Sequence, residues 1–201
     1  MTSKTNTVGS VTGDLADYLT NISYTDVPQD ALEREKWHIL DTLGCVLYGS
    51  TTPWVRKVIA ALDGMDESEA ALALGTSASF SPARAALVNG TASHSMDFDD
   101  YCQDAGVHAG SATVTTALAY ADAAAELVSG RELLTAVAAG VETGIRTGYG
   151  IGRGSLLRGW HIAGWTGAFG GAATTGVLTG LPRDQMAHAL ALAGTQGAGL
   201  M

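Results

Sequence analysis

The chain has 201 residues, enough for one domain with a sizeable core or for a large part of a longer protein. Its net charge of −9, from 11 basic and 20 acidic residues, excludes the basic surface that neutralising nucleic-acid phosphates requires. Hydrophobic residues at 46%, aromatics at only 6% and 26 glycines favour helices packed closely through small side chains over a β-sandwich, so the expected fold class is an all-α, Ala/Gly-rich helical domain.

Residues 1–10 are polar, carry Lys4 and lack an apolar h-region, so they read as a flexible tail rather than a signal peptide, with the helical domain over 11–201. Gly13 to Ile22 has the spacing of a short amphipathic helix. Asp26-Val27-Pro28 starts a longer one, with Leu32, Trp37, Ile39, Leu40, Leu43, Val46 and Leu47 as its apolar stripe and Glu33, Arg34, Glu35 and Lys36 in solvent. Thr52-Pro53 opens a third helix through Leu62, and Ala70 to Leu74 is the one plausible strand. Ser81-Pro82 starts the helix that leads to His94. Gly110 to Leu127 is an Ala/Thr-rich helix, and Ser129 to Glu132 has capping-box spacing for the next, which runs to about Thr147. Gly148 to Gly159 is a glycine-rich loop carrying Arg153 and Arg158. The helix after it holds Gly164, Gly167, Gly170, Gly171 and Gly176, and Gly180-Leu181-Pro182 separates it from the last one. Gly197 to Met201 carries no cap or polar tail, as though the chain were cut inside a structural unit.

Cys45 and Cys102 are far apart and form no C-x-x-C or disulfide framework, which points to a reduced, cytoplasmic setting. Ile162 to Leu181 runs without a charge but is rich in Gly, Thr and Ala, so its transfer energy is weak for a membrane span and it reads as a buried helix.

Chemistry concentrates at His94-Ser95-Met96-Asp97-Phe98-Asp99-Asp100, followed by His108. So dense a knot of carboxylates and imidazoles between apolar segments is hard to explain by solvation alone. Asp97 with His108 is the functional pair, because a carboxylate beside an imidazole orients the ring and raises its basicity for proton abstraction. His94 and Asp100 read as a hydrogen-bonded core residue and a cap, and His38 and His188 as structural. Asp99-Asp100-Tyr101-Cys102-Gln103-Asp104 loosely matches the magnesium-diphosphate motif of terpene synthases. Its spacing is one residue too long, and neither a second metal motif nor an aromatic lining accompanies it. A second site is Arg158-Gly159-Trp160-His161, where His161 stands between the glycine loop and a helix N-terminus that favours an anion. The alternate glycines are no dinucleotide fingerprint, since no strand precedes them.

Ala85 to Gly90 leading into His94 to Asp100, then Gly106-Val107-His108, Gly159-Trp160-His161, Gly167 to Gly170, Leu192 to Gln196 and Gly199-Leu200-Met201 resemble, in the same order, the signatures of the MmgE/PrpD family. That resemblance implies a helical domain, without the family's smaller α+β lid, and a cofactor-independent lyase or isomerase that moves a proton beside a carboxylate, with no metal. It implies Asp97, His108 and His161 as catalytic residues, and Arg153, Arg158, Gly159 and Trp160 as candidates for binding a small carboxylate substrate. Family members run to about twice this length, a size at which chains split into domains. The expected lysine beyond Gly-Leu-Met, the remaining helices and the lid would then come from a second polypeptide, in a homo- or hetero-oligomer. The alternative is a non-catalytic scaffold subunit or a truncated relic.

Overall fold

The computed structural model describes residues 10–65 and 68–200. Of the tail expected over 1–10, residues 1–9 lie outside the described residues, and Ser10 stands directly before the first helix. The helices are α1 (Val11–Asn21), α2 (Gln29–Gly49), α3 (Pro53–Leu62), α4 (Pro82–Ser93), α5 (Gly110–Ala123), α6 (Gly130–Ile151), the short α7 (Gly154–Leu157), α8 (Ile162–Leu178) and α9 (Arg183–Gln196). A two-stranded antiparallel hairpin, β1 (Ala71–Leu72) with β2 (Ser79–Phe80), sits between α3 and α4. The all-helical reading therefore holds apart from this hairpin.

Local chemistry sets the helix starts. Pro53 and Pro82 occupy first-turn positions, where the missing N–H costs nothing. At α6 the Ser129 N–H donates to Glu132 Oε2 at 2.7 Å and the Glu132 N–H to Ser129 Oγ at 3.3 Å, a closed capping box. Three of the threonines that make α5, α6 and α8 look polar, Thr113, Thr143 and Thr166, are buried at little cost because each donates its hydroxyl to the carbonyl four residues back.

Helix α8 is the hub, packed on by α5, α6 and α9, while α4 joins α5 to α2. Small residues permit the α6–α8 approach: a Cβ on Gly140 would run into the Thr174 hydroxyl and lie 2.9 Å from the Gly170 carbonyl oxygen. The hairpin is tied to α4 by buried Asn89, whose Oδ1 accepts from the Leu74 N–H and whose Nδ2 donates to the Leu72 carbonyl.

Several expectations are corrected. Trp37 (71% exposed), Leu40 and Leu47 do not face the core. Leu32 and Val46 of the expected stripe are buried, and Thr42, Cys45 and Gly49 complete the inward face of α2, small and polar residues that bulk hydrophobicity overlooks. Glu35 is turned inward against His38 rather than left in solvent. The second strand escapes notice because two residues carry no periodicity. Helix α6 continues to Ile151, and the expected loop contains α7, bracketed by Gly152 and Gly159 at positive φ. Helix α5 stops at Ala123 rather than Leu127.

Gly140→Ala is expected to destabilise the fold by about 1–3 kcal/mol through overpacking against α8. Gly44→Ala, with open space around it, should stabilise α2 by about 0.5–1 kcal/mol. Thermal and urea unfolding check both, and equal effects would contradict the packing described.

Candidate active site

Helix α4 ends at His94, and the chain crosses residues 95–109 before α5 begins, so the acidic segment is held between two helix ends. Asp100 fixes the far end. Its Oδ2 accepts from the Ala109 N–H and its Oδ1 from the Gly110 N–H, both at 2.9 Å, placing a carboxylate on the positive end of α5. His38 of α2 meets the same carboxylate, Nε2 to Oδ1 at 3.2 Å, while its Nδ1 contacts Glu35 Oε2 at 3.1 Å. Burial opposes a charge on His38, but Asp100 and Glu35 outweigh it and raise its pKa to about 10. A Cβ on Gly110 would collide with the Thr42 hydroxyl and lie 2.7 Å from Asp100 Oδ1, so glycine is what lets the three elements meet.

Asp99 lies at the centre. Its side chain is 0% exposed; Oδ1 is 2.8 Å from His94 Nδ1 and 3.3 Å from His108 Nδ1. The first contact is a hydrogen bond, whereas His108 Nδ1 lies off the hydrogen-bonding direction and, like Asp99 Oδ2, has no other hydrogen-bond partner. Burial pushes the Asp99 carboxyl upward, yet His108 and His94 together hold it well below the usual carboxylate range, so it is ionised. The His94 imidazole is raised in turn, chiefly by its bond to Asp99. The two rings stand edge to face, with centroids 4.5 Å apart.

His108 and His161 line one cleft of about 490 Å3, together with Asp97, Asp99, Phe98, Tyr101 and Leu156. His161 caps α8, its Nδ1 accepting from the Gly164 N–H at 3.2 Å, and its ring centroid is 6.5 Å from that of His94. A larger groove of about 860 Å3 beside Trp165 and Phe169 is mostly apolar and is lined by no imidazole.

The structure thus brings Asp97, His108 and His161 together, but with different emphasis. Asp97 adopts φ of +51°, the one non-glycine positive φ among the described residues, and its side chain is 81% exposed at the rim, 3.7 Å from His108 Nε2. The carboxylate buried against the imidazole is Asp99, while Asp97, in the left-handed region, leaves its side chain at the rim. His94, expected in a structural role, belongs to the cluster, and His38 is the outer support. The structure does not bring Arg153, Arg158, Gly159 and Trp160 to the cleft. Both arginines sit exposed at the two ends of α7, and Trp160 pairs with Leu200 and packs on Trp165. Nor do Asp99, Asp100 and Asp104 converge as a diphosphate motif, since Asp99 is committed to histidines and Asp100 to the α5 N-terminus. Among the described residues, His94, Asp97, Asp99 and His108 could hold a divalent metal, their ligand atoms lying within 4.8 Å of one another. No helix among the described residues is long and apolar enough to cross a membrane.

Fold and site together define a helical domain with a buried carboxylate–imidazole cluster opening on a small cleft. The chain belongs to the MmgE/PrpD family: the MmgE/PrpD N-terminal domain matches residues 13–201. It is 34% identical over 200 residues to the cis-aconitate decarboxylase of Aspergillus terreus, covering 98% of this chain and 41% of that protein. It is 33% identical over 199 residues to the cis-aconitate decarboxylase-like protein oryM of Aspergillus oryzae, covering 96% and 41%. To the human cis-aconitate decarboxylase it is 30% identical over 188 residues, covering 92% and 39%. The chain therefore spans about two fifths of the length of these relatives.

The His38 ion pairs make stability pH-dependent. Because the folded pKa is near 10 and the unfolded one about 6.5, this contribution is complete below about pH 6.5 and is lost as pH rises towards 10. The difference in melting temperature between wild type and His38→Gln should shrink across that window. A constant difference would show that His38 is not charged in the fold.

Proposed function

We propose that this chain forms the helical part of the active site of a lyase acting by proton transfer on a small di- or tricarboxylate. Cis-aconitate, named in the relatives, is the first candidate substrate. The observation that carries the reading is the shared cleft. His108, braced by Asp99, and His161 face one volume suited to a small metabolite, with Asp97 at its rim. His108 is the group that exchanges a proton with a carbon next to a carboxylate, Asp97 shares or steers that proton, and His161 meets the substrate carboxylate. No metal or organic cofactor is required for these steps, and the setting is cytoplasmic.

Charge supports completion by a further polypeptide. Among the described residues the cleft is lined by two aspartates and by no lysine or arginine, a poor lining for a polycarboxylate unless cations arrive from elsewhere. A second polypeptide carrying a lysine, further helices and the lid meets that need. Exposed Trp37, Leu40, Leu47 and Tyr48 on α2, with the apolar groove beside Trp165, support association into an oligomer.

His108→Ala and His161→Ala should each lower turnover of the assembled enzyme on cis-aconitate or a related polycarboxylate by about 100-fold or more. Full turnover in both variants, with turnover intact in the wild type, would make this domain a scaffold rather than a catalytic part. The chain alone should sediment as an associated species at micromolar concentration, and a compact monomer there would contradict the association.

A further inference from the structure

The contacts around the two cleft histidines are of opposite kind. Asp99, with no exposed side-chain surface, places Oδ1 3.3 Å from His108 Nδ1, which is buried and has no hydrogen-bond partner elsewhere, whereas His108 Nε2 faces only the solvent-screened Asp97 carboxylate, more distant at 3.7 Å and 81% exposed. A lone pair on Nδ1 would face a carboxylate oxygen, whereas a proton there turns repulsion into attraction. His94, hydrogen-bonded to the same oxygen, fills the space beside the His108 ring and keeps the carboxylate centred between them. At His161 the arrangement is reversed. Its Nδ1 accepts the Gly164 N–H, shared with the His161 carbonyl, so that nitrogen must carry a lone pair and the proton of the neutral ring must lie on Nε2.

We infer that His108 and His161 are held in opposite tautomers, which assigns them different roles. His108 carries its proton on Nδ1 and offers the Nε2 lone pair as base. His161 offers Nε2–H as a hydrogen-bond donor and gives up no proton. Asp99 and His94 are positioning residues. This division of labour deepens the lyase reading and rests on it for its use in catalysis, although the tautomers themselves rest on contacts alone.

The proton step then balances within the cleft. A C–H bond next to a substrate carboxylate breaks, and its proton forms a bond to His108 Nε2. The electron pair left on carbon passes into the carboxylate, and the His161 Nε2–H donates to the oxygen that gains charge. The resulting His108 imidazolium faces the Asp99 carboxylate and can deliver that proton as the lyase step completes, to a hydroxyl whose C–O bond breaks and which leaves as water, or to the carbon that takes up the electron pair when a carboxylate leaves as carbon dioxide. A neutral imidazole suits the donor role, because it polarises an oxyanion without being consumed.

The test is nitrogen NMR of the full chain with labelled histidine, above the pH at which the cleft rings are charged. His108 should show a protonated Nδ1 and an unprotonated Nε2, and His161 the reverse. In Asp99→Asn the His108 signals should exchange their assignment while those of His161 stay, a change that loss of packing alone would not produce. The same tautomer in both wild-type rings, or His108 protonated on Nε2, overturns the inference; the wild-type spectrum decides this even if the variant fails to fold. Opposite tautomers together with undiminished turnover in His108→Ala and His161→Ala would uphold the tautomers and remove the catalytic reading, so the two failures are distinguishable.

Discussion

A carboxylate with no exposed surface, set between two imidazoles, is the constraint around which the rest of the site is arranged. An ionised Asp99 in that position is tolerable only while His94 and His108 stay beside it, and each is delivered by a different helix end. The fold therefore has to bring the C-terminus of α4 against the N-terminus of α5. Asp100 does this from the next position along the chain, by capping α5 and meeting His38 of α2. Two adjacent aspartates thus perform separate tasks, one holding the rings and the other holding the loop that carries them.

The helical scaffold serves this arrangement through small side chains. Gly110 admits the Asp100, His38 and Thr42 contacts, and Gly140 allows α6 to approach α8 closely enough to fix the frame in which His161 starts its helix. Thr113 and Thr143 satisfy their hydroxyls within their own helices, while the buried Thr174 hydroxyl at the α6–α8 contact has no hydrogen-bond partner. Rigidity at the cleft follows from close backbone packing more than from large apolar side chains. That fits a domain that places a few polar groups accurately and leaves Trp37, Leu40, Leu47 and Tyr48 exposed.

Much of this was legible in the sequence, and the rest was hidden for physical reasons. Proline at helix starts, the Ser129–Glu132 box and the glycine breaks mark the elements, and the density of acids and histidines from His94 to His108 marks the site. Which aspartate is buried was not legible: Asp97, Asp99 and Asp100 have the same chemistry, and their fates are decided by a left-handed turn at Asp97 that no periodicity encodes. Alternating acids on a tight turn are the only signal that could have separated them. The inward face of α2 is legible only in part, because Leu32 and Val46 share it with Thr42, Cys45 and Gly49 while the bulky Trp37, Leu40 and Leu47 stay outside. Arg153 and Arg158 attracted attention as rare cations beside glycines, yet α7 turns them outward.

The claim on which the account turns is that His108 and His161 address one bound carboxylate substrate. A crystal structure of the assembled enzyme with an unreactive tricarboxylate analogue tests it most directly. The account predicts the analogue in the cleft, one carboxylate against His161, with Asp99 still between His94 and His108. An analogue seated in the apolar groove beside Trp165, or away from both rings, would contradict it.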